Sequence, residues 1–172
     1  MNDIHEQFSL IYDQYIEKIY RFVYLKVNSQ ETAEDIASKV FLNCWESYQK
    51  QPEKIQNPGA FLYQIARNLV VDYYREKNKA KFASIDSLPL MVDERVNLHE
   101  KAVVNSEMEA VRLAMQNLKK DYKDVLIWHY LEDMSVEEIC QILNKSNGAV
   151  RVMIHRSLNA LKDELGHGTD YN

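Results

Sequence analysis

Apolar side chains return at steps of three and four over most of this 172-residue chain, and that spacing restricts it to helices. The longest run covers residues 4–28, where Phe8, Ile11, Tyr12, Tyr15, Ile16, Ile19, Phe22, Val23 and Val27 form one stripe. Tyr20 and Tyr24 widen it, as packed aromatics do. A second stripe, Ala33, Ile36, Val40, Phe41, Cys44 and Trp45, predicts a helix over 31–48. It leaves Glu34, Asp35, Ser38 and Lys39 partly or wholly outside. A loop with two prolines follows, ending in Asn57 and Pro58, an N-cap and a proline at the first helical position. They predict a third helix over 59–81. No stretch alternates with period two between turn residues, as a strand does. With only four glycines and three prolines among these runs, the fold class is all-α.

Residues 135–162 read as two short helices around a tight turn. Ser135 with Glu138 three residues on is a capping box, and Ile139, Ile142 and Leu143 give the first helix one apolar face. Asn144 follows, where a left-handed backbone is wanted, and asparagine tolerates it. Ser146 can cap a second helix whose apolar residues are Val150, Ile154, Leu158 and Leu161. This is the helix-turn-helix pattern. Residues 145–162 hold four bases (Lys145, Arg151, Arg156, Lys162), His155 and no acid, whereas 121–138 hold six acids and one base. A solvated helix pair has the same spacing; the charge segregation is what favours an anionic partner. At about 100° per residue, Val152, His155, Arg156 and Asn159 oppose the apolar stripe, with Arg151 on the flank.

The second half of the third helix is basic and aromatic: Arg67, Tyr73, Tyr74, Arg75, Lys77, Lys79 and Lys81. Single-stranded nucleic acid suits such a surface, because bases stack on aromatics and cations follow the backbone. The helix macrodipole gathers the same lysines at a C-terminus, so both readings stand. Residues 79–105 lose the periodicity. They divide a helical domain over 1–78 from a second over 106–166, in which helices over 107–118 and 121–131 precede the helix-turn-helix; 167–172 is a tail. The expected architecture is two small helical domains joined by a flexible linker.

The net charge of −5 requires any basic surface to be local, with another macromolecule supplying much of the phosphate contact. Cys44 and Cys140 fall on apolar sides and are expected to be buried free thiols in a reducing compartment. The first residues lack the layout of a signal peptide, and apolar runs are too short to cross a membrane, which points to the cytoplasm. The five histidines have no metal-ligand spacing, and no glycine-rich phosphate loop or nucleophile elbow occurs. A binding protein is expected, not an enzyme, with no metal, no cofactor and no small-molecule substrate.

Three blocks in order, 8–27 running into 32–45, then 57–79, then 117–165, resemble the extracytoplasmic-function group of bacterial RNA polymerase sigma factors. The resemblance implies a first domain that docks on the clamp helices of core RNA polymerase and reads and opens the promoter −10 element. The second domain would read the −35 element and touch the polymerase flap. Core polymerase, promoter DNA and an anti-sigma factor are the implied partners. Glu34 and Asp35 match the acidic pair of the clamp-docking helix, with Ser38 one turn on. The loop carrying Lys54, Gln56 and Asn57 matches the one that captures a flipped −10 base. Asn68 lies close to that base, and Arg67, Asp72, Tyr73 and Arg75 share its helix. Arg151 and Arg156 match basic recognition-helix positions; with Ser146, Asn147, Val152, His155 and Asn159 they make the expected −35 set.

This chain departs from the family pattern at Ser38 and Lys39, where Gln and an acid are usual, and at Val152 and Met153, where Ser and Arg are usual. Opening a duplex costs roughly 1–2 kcal/mol per base-pair step, so a melting protein needs somewhere to hold the unpaired strand. A base pocket beside a basic, aromatic helix meets that need. A free-standing helix-turn-helix regulator and a purely protein-binding module are the other readings. Acidic net charge and the lack of an obvious dimerisation helix oppose the first, and the charge segregation opposes the second.

Overall fold

The computed structural model describes residues 3–83 and 106–167, which fall into two compact units, the first built mainly from 3–83 and the second mainly from 106–167. The expected linker beyond residue 83 and the tail beyond 167 lie outside the described residues.

The first unit is three helices, α1 (Ile4–Val27), α2 (Gln30–Lys50) and α3 (Pro58–Ala83), with a 3-10 turn at Pro52–Lys54. Asp3 caps α1, accepting from the His5 amide at 3.2 Å. The helix stops at Asn28, whose left-handed φ of 54° lets its amide reach the Tyr24 carbonyl. Ser29 at once caps α2 through the Thr32 amide. Two residues therefore end one helix and start the next, which sends α2 back along α1. The Tyr48 hydroxyl, near the end of α2, accordingly donates to Gln7 Oε1 near the start of α1 at 3.1 Å.

Asn57 Oδ1 accepts from the Ala60 amide at 2.9 Å, so α3 begins with the expected cap and proline. Each of the three helices packs on the other two. The core is Ile19, Phe22 and Val23 of α1, Ala33, Ile36, Ala37, Val40 and Cys44 of α2, and Leu62, Tyr63, Ala66 and Val70 of α3. Phe22 meets Tyr63 edge-on at 5.4 Å. Gly59 admits α1 closely; a Cβ there would lie 2.5 Å from the Tyr15 hydroxyl. The helix runs to Ala83, two residues past its expected end at 81, and so takes in the first residues, 79–83, of the stretch given to the linker.

The second unit holds α4 (Ser106–Gln116), α5 (Lys120–Leu126), α6 (Val136–Leu143) and α7 (Asn147–His167). Where periodicity predicts one helix over 121–131, α5 gives way to a π turn at Ile127–Leu131. The Glu132 amide reaches the Ile127 carbonyl at 2.9 Å, and Asp133 then turns the chain with a φ of 53°. Five consecutive residues, Asp124 to Trp128, are buried, a wider face than one regular helical stripe offers. Ala114, Leu118, Ile139, Val150 and Ile154 are buried as well, and α7 packs on both α4 and α5. Ser157 is buried in this core without an unpaired hydroxyl, because it donates back to the Met153 and Ile154 carbonyls of its own helix.

Among the described residues there is no strand, and no helix is long and apolar enough to cross a membrane. Each unit contains one tryptophan, Trp45 in α2 and Trp128 in the π turn, so the units can be followed separately. In a Trp128→Phe background, Phe22→Ala should destabilise the first unit by about 3–5 kcal/mol. Denaturant titration followed by Trp45 fluorescence measures it; an unmoved midpoint would place Phe22 outside the core.

Candidate nucleic-acid interface

On α2 the burial of Ala33, Ile36, Ala37 and Val40 forces Glu34, Asp35, Ser38 and Lys39 outward, and all four are exposed. Glu34 accepts from the Gln30 amide group at 2.9 Å, and the Ser38 hydroxyl donates to the Glu34 carbonyl at 2.8 Å. Lys39 stands 3.5 Å from Asp35 with both side chains well exposed, a pair worth little in stability. Its effect is local: it offsets one of the two acids. Two neighbouring features escaped sequence reading. Leu42, one turn beyond Ser38 and Lys39, is 55% exposed. Ile16, Glu17 and Tyr20 of α1 join Glu34, Ala37 and Ser38 of α2 around a shallow groove of about 300 Å³. The stripe on α1 placed Ile16 and Tyr20 inside, and only packing against α2 reveals that they rim a groove.

The structure brings the −10 set onto the 3-10 turn and α3. Lys54, Gln56 and Asn57 are exposed before the helix, and Asn57 serves α3 as its cap. Asn68, Asp72 and Arg75 are exposed at spacings of four and three, which is one face. Arg67 is half-buried beside it. Arg75 and Asp72 form a loose pair at 3.6 Å. The two adjacent tyrosines differ. Tyr74 donates its hydroxyl to the Lys26 carbonyl, and burial, then the neighbouring Tyr73, pushes its pKa up; it fastens α3 to the end of α1. Tyr73 is half-buried, meets Tyr74 edge-on at 5.2 Å and has the Lys77 ammonium 5.7 Å from its ring centre. Of the two tyrosines, it is the one whose hydroxyl does not fasten α3 to α1.

In the second unit both caps form as the sequence predicts. The Ser135 amide donates to Glu138 at 2.8 Å and the Glu138 amide to Ser135 Oγ at 3.1 Å. Asn144 adopts a φ of 52°, and Ser146 Oγ accepts from the Ala149 amide at 3.2 Å. With Val150 and Ile154 buried, α7 exposes Arg151, Val152, His155, Arg156 and Asn159, and Ser146 and Asn147 are exposed at its start. The seven expected −35 residues thus share one end and one face of a helix. Val152 is 47% exposed among polar neighbours. Asn159 Nδ2 lies 3.3 Å from His155 Nε2. Gly148 has open space around it, which leaves the start of α7 uncrowded.

One expectation fails: Cys140 is half-buried, not buried, and its thiol donates to Asn147 Oδ1 at 3.0 Å. The periodicity places it beside the α6 stripe, and the start of α7 leaves it an open side. Among the described residues, no group of three or more His, Cys, Asp or Glu could hold a metal ion.

Residues 11–80 match the Sigma-70 region 2 family, and residues 108–161 match the Sigma-70, region 4 family. The extracytoplasmic-function (ECF) RNA polymerase sigma factor SigW of Bacillus subtilis is 31% identical over 169 residues, covering 93% of this chain and 89% of SigW. BldN of Streptomyces coelicolor, another ECF sigma factor, is 28% identical over 157 residues; the alignment covers 91% of this chain but 59% of BldN. In fold, the chain resembles the sigma factor RpoE of Bartonella quintana, solved in complex with the anti-sigma factor NepR. That match has a TM-score of 0.65 at 18% identity and covers 96% of this chain and 99% of the other. The chain belongs to the ECF RNA polymerase sigma factors, a family of promoter-directing transcription-initiation proteins. Membership disfavours the reading as a free-standing regulator.

Burial pushes the Cys44 thiol up to about 11. At pH 8 its thiolate is then only about one part in a thousand, and its side chain is sealed in the core. Iodoacetamide at pH 8 should therefore label Cys140 in the native protein and leave Cys44 unmodified, as peptide mass mapping will read. Comparable labelling of both would contradict the packing of α2.

Proposed function

We propose that this chain is a dissociable subunit of RNA polymerase that selects promoters through two DNA surfaces and helps to open the duplex at one of them. The observation that carries this reading is the face of α7, where a buried stripe leaves arginine, histidine, asparagine and valine together on an uncrowded helix start. Such a face enters a major groove. Val152 would lie against a thymine methyl, while Arg151 and Arg156 divide a guanine edge and a phosphate between them. Family membership supports the rest of the assignment. The outer face of α2, with Glu34, Asp35 and Ser38, docks on the polymerase clamp. The turn carrying Lys54, Gln56 and Asn57 takes a flipped −10 base, and Asn68 hydrogen-bonds its edge. Arg67, Asp72, Tyr73 and Arg75 line the path of the same strand.

The chain acts in the cytoplasm, carries out no chemical step and needs no cofactor; the polymerase forms the phosphodiester bonds. Core polymerase holds most of the DNA, so an acidic protein can work at a promoter. The anti-sigma partner in the RpoE–NepR complex supports a similar protein partner here, one that masks these surfaces.

Co-elution with core RNA polymerase, followed by start-site-specific transcription, tests the function as a whole. The Glu34→Lys, Asp35→Lys double variant should keep its helical circular dichroism and lose co-elution. Equal co-elution of the double variant and wild type would remove α2 from the polymerase contact.

Arg156→Ala distinguishes two kinds of contact. If Arg156 reads a base, binding should fall by about 1–3 kcal/mol with discrimination lost at one −35 position. If it holds a phosphate, binding weakens evenly across sequences and the salt dependence becomes shallower. Val152→Ser should change the preferred base at a single −35 position. Selection from a randomised −35 region reads both, and identical preferences for wild type and Val152→Ser would make the valine a bystander.

A further inference from the structure

The residues assigned to the −10 strand end at Arg75, but α3 continues for eight more residues, to Ala83. Residues 75–83 carry Arg75, Lys77, Lys79 and Lys81 against one acid, Glu76. A helix C-terminus attracts lysines through its macrodipole. That gives no reason for a phenylalanine in the last turn, and Phe82 is 77% exposed, more than any other large apolar side chain among the described residues. At about 100° per residue, Phe82 lies within roughly 20° of Arg75 and 40° of Asn68 around the helix. It therefore closes the exposed stripe that begins at Asn68. Fourteen residues of helix span about 21 Å, which is about six nucleotides at duplex spacing and fewer for a stretched single strand.

We propose that Phe82 is a stacking platform for a further unpaired base of the −10 strand, with Lys79 holding a neighbouring phosphate. The occupant is single-stranded nucleic acid because the surroundings are basic and the aromatic face is open, the combination on which unpaired bases stack. A protein partner that buried Phe82 would have to bring acids to the same turn. The platform rests on the assignment of α3 to the −10 strand and lengthens its path.

The test uses the full chain assembled with core RNA polymerase, on promoter DNA whose −10 region is mismatched and whose unpaired strand carries single abasic sites, one position at a time. On intact DNA, Phe82→Ala should bind on the order of tenfold more weakly, and Phe82→Trp should bind as wild type. One abasic position should weaken wild type by the same factor and add nothing to Phe82→Ala. That position should differ from the one at which Asn68→Ala becomes silent. If Phe82→Ala binds as wild type while Asn68→Ala is weakened, the platform is overturned and the −10 assignment stands. If neither variant is weakened, both fall. A Phe82→Ala loss that is equal at every abasic position, or that already appears in assembly with core polymerase, would put duplex or protein on Phe82 and overturn the platform.

Discussion

Burial of one stripe on each helix decides which side chains remain for partners. On α7 the buried Val150 and Ile154 fix the rotation of the helix, and Arg151, Val152, His155, Arg156 and Asn159 then have no direction but outward. On α2 the same logic runs through Ile36, Ala37 and Val40, and on α3 through Tyr63, Ala66 and Val70. A helix that rolled by one residue would withdraw every contact on its outer face by about 100°. The interfaces are therefore as well defined as the core behind them, and the core is well defined because aromatic and branched side chains fill it from three directions. Phe22 edge-on to Tyr63 is the centre of that arrangement in the first unit.

Charge follows a different rule from packing. The chain is acidic as a whole, with a net charge of −5, so its affinity for DNA depends on where the charge lies. The exposed pairs Asp35–Lys39 and Asp72–Arg75 partly cancel on the helices where they sit, at separations of 3.5 and 3.6 Å. The face of α7 has no such cancellation, since residues 145–162 contain no acid. A weak net field with basic stretches confined to 145–162 and the end of α3 favours selection of a site by a complex already held on DNA over independent search by the free protein.

Local chemistry made much of this legible in the sequence. The caps at Ser135 with Glu138, at Ser146 and at Asn57 with Pro58, and the left-handed Asn144, need only neighbours within four residues, and each forms as read. The outward set on α7 followed from periodicity alone. What escaped depends on contacts between helices or on how a helix closes its hydrogen bonds. The π turn at Ile127–Leu131 uses the same apolar residues that a regular helix would, and only the five-residue reach of the Glu132 amide separates the two. The groove beside Glu34 requires α1 against α2, and the open side of Cys140 depends on Asn147 of another helix. The end of α3 was read to within two residues, at 81 against Ala83, although its last turns bury no stripe.

Asn57 of the expected −10 set, and Tyr74 beside that set, have structural duties that change how a loss of activity should be read. Asn57 caps α3, and an N-cap asparagine replaced by alanine costs about 1 kcal/mol on that account alone. Tyr74 is tied to the Lys26 carbonyl, so its removal loosens the joint between α3 and α1. Asn68 and Arg75 are exposed and cap no helix. A defect at Asn68 that exceeds its effect on stability therefore tests the proposed DNA contact, whereas the same defect at Asn57 mixes contact and fold. The same distinction separates the adjacent tyrosines. Tyr73 has the half-open ring with a lysine beside it and Tyr74 the anchored hydroxyl. Replacing each by phenylalanine keeps the ring in both and removes the anchor in one. Stability should then respond at position 74, and any contact made through the ring face of residue 73 should persist.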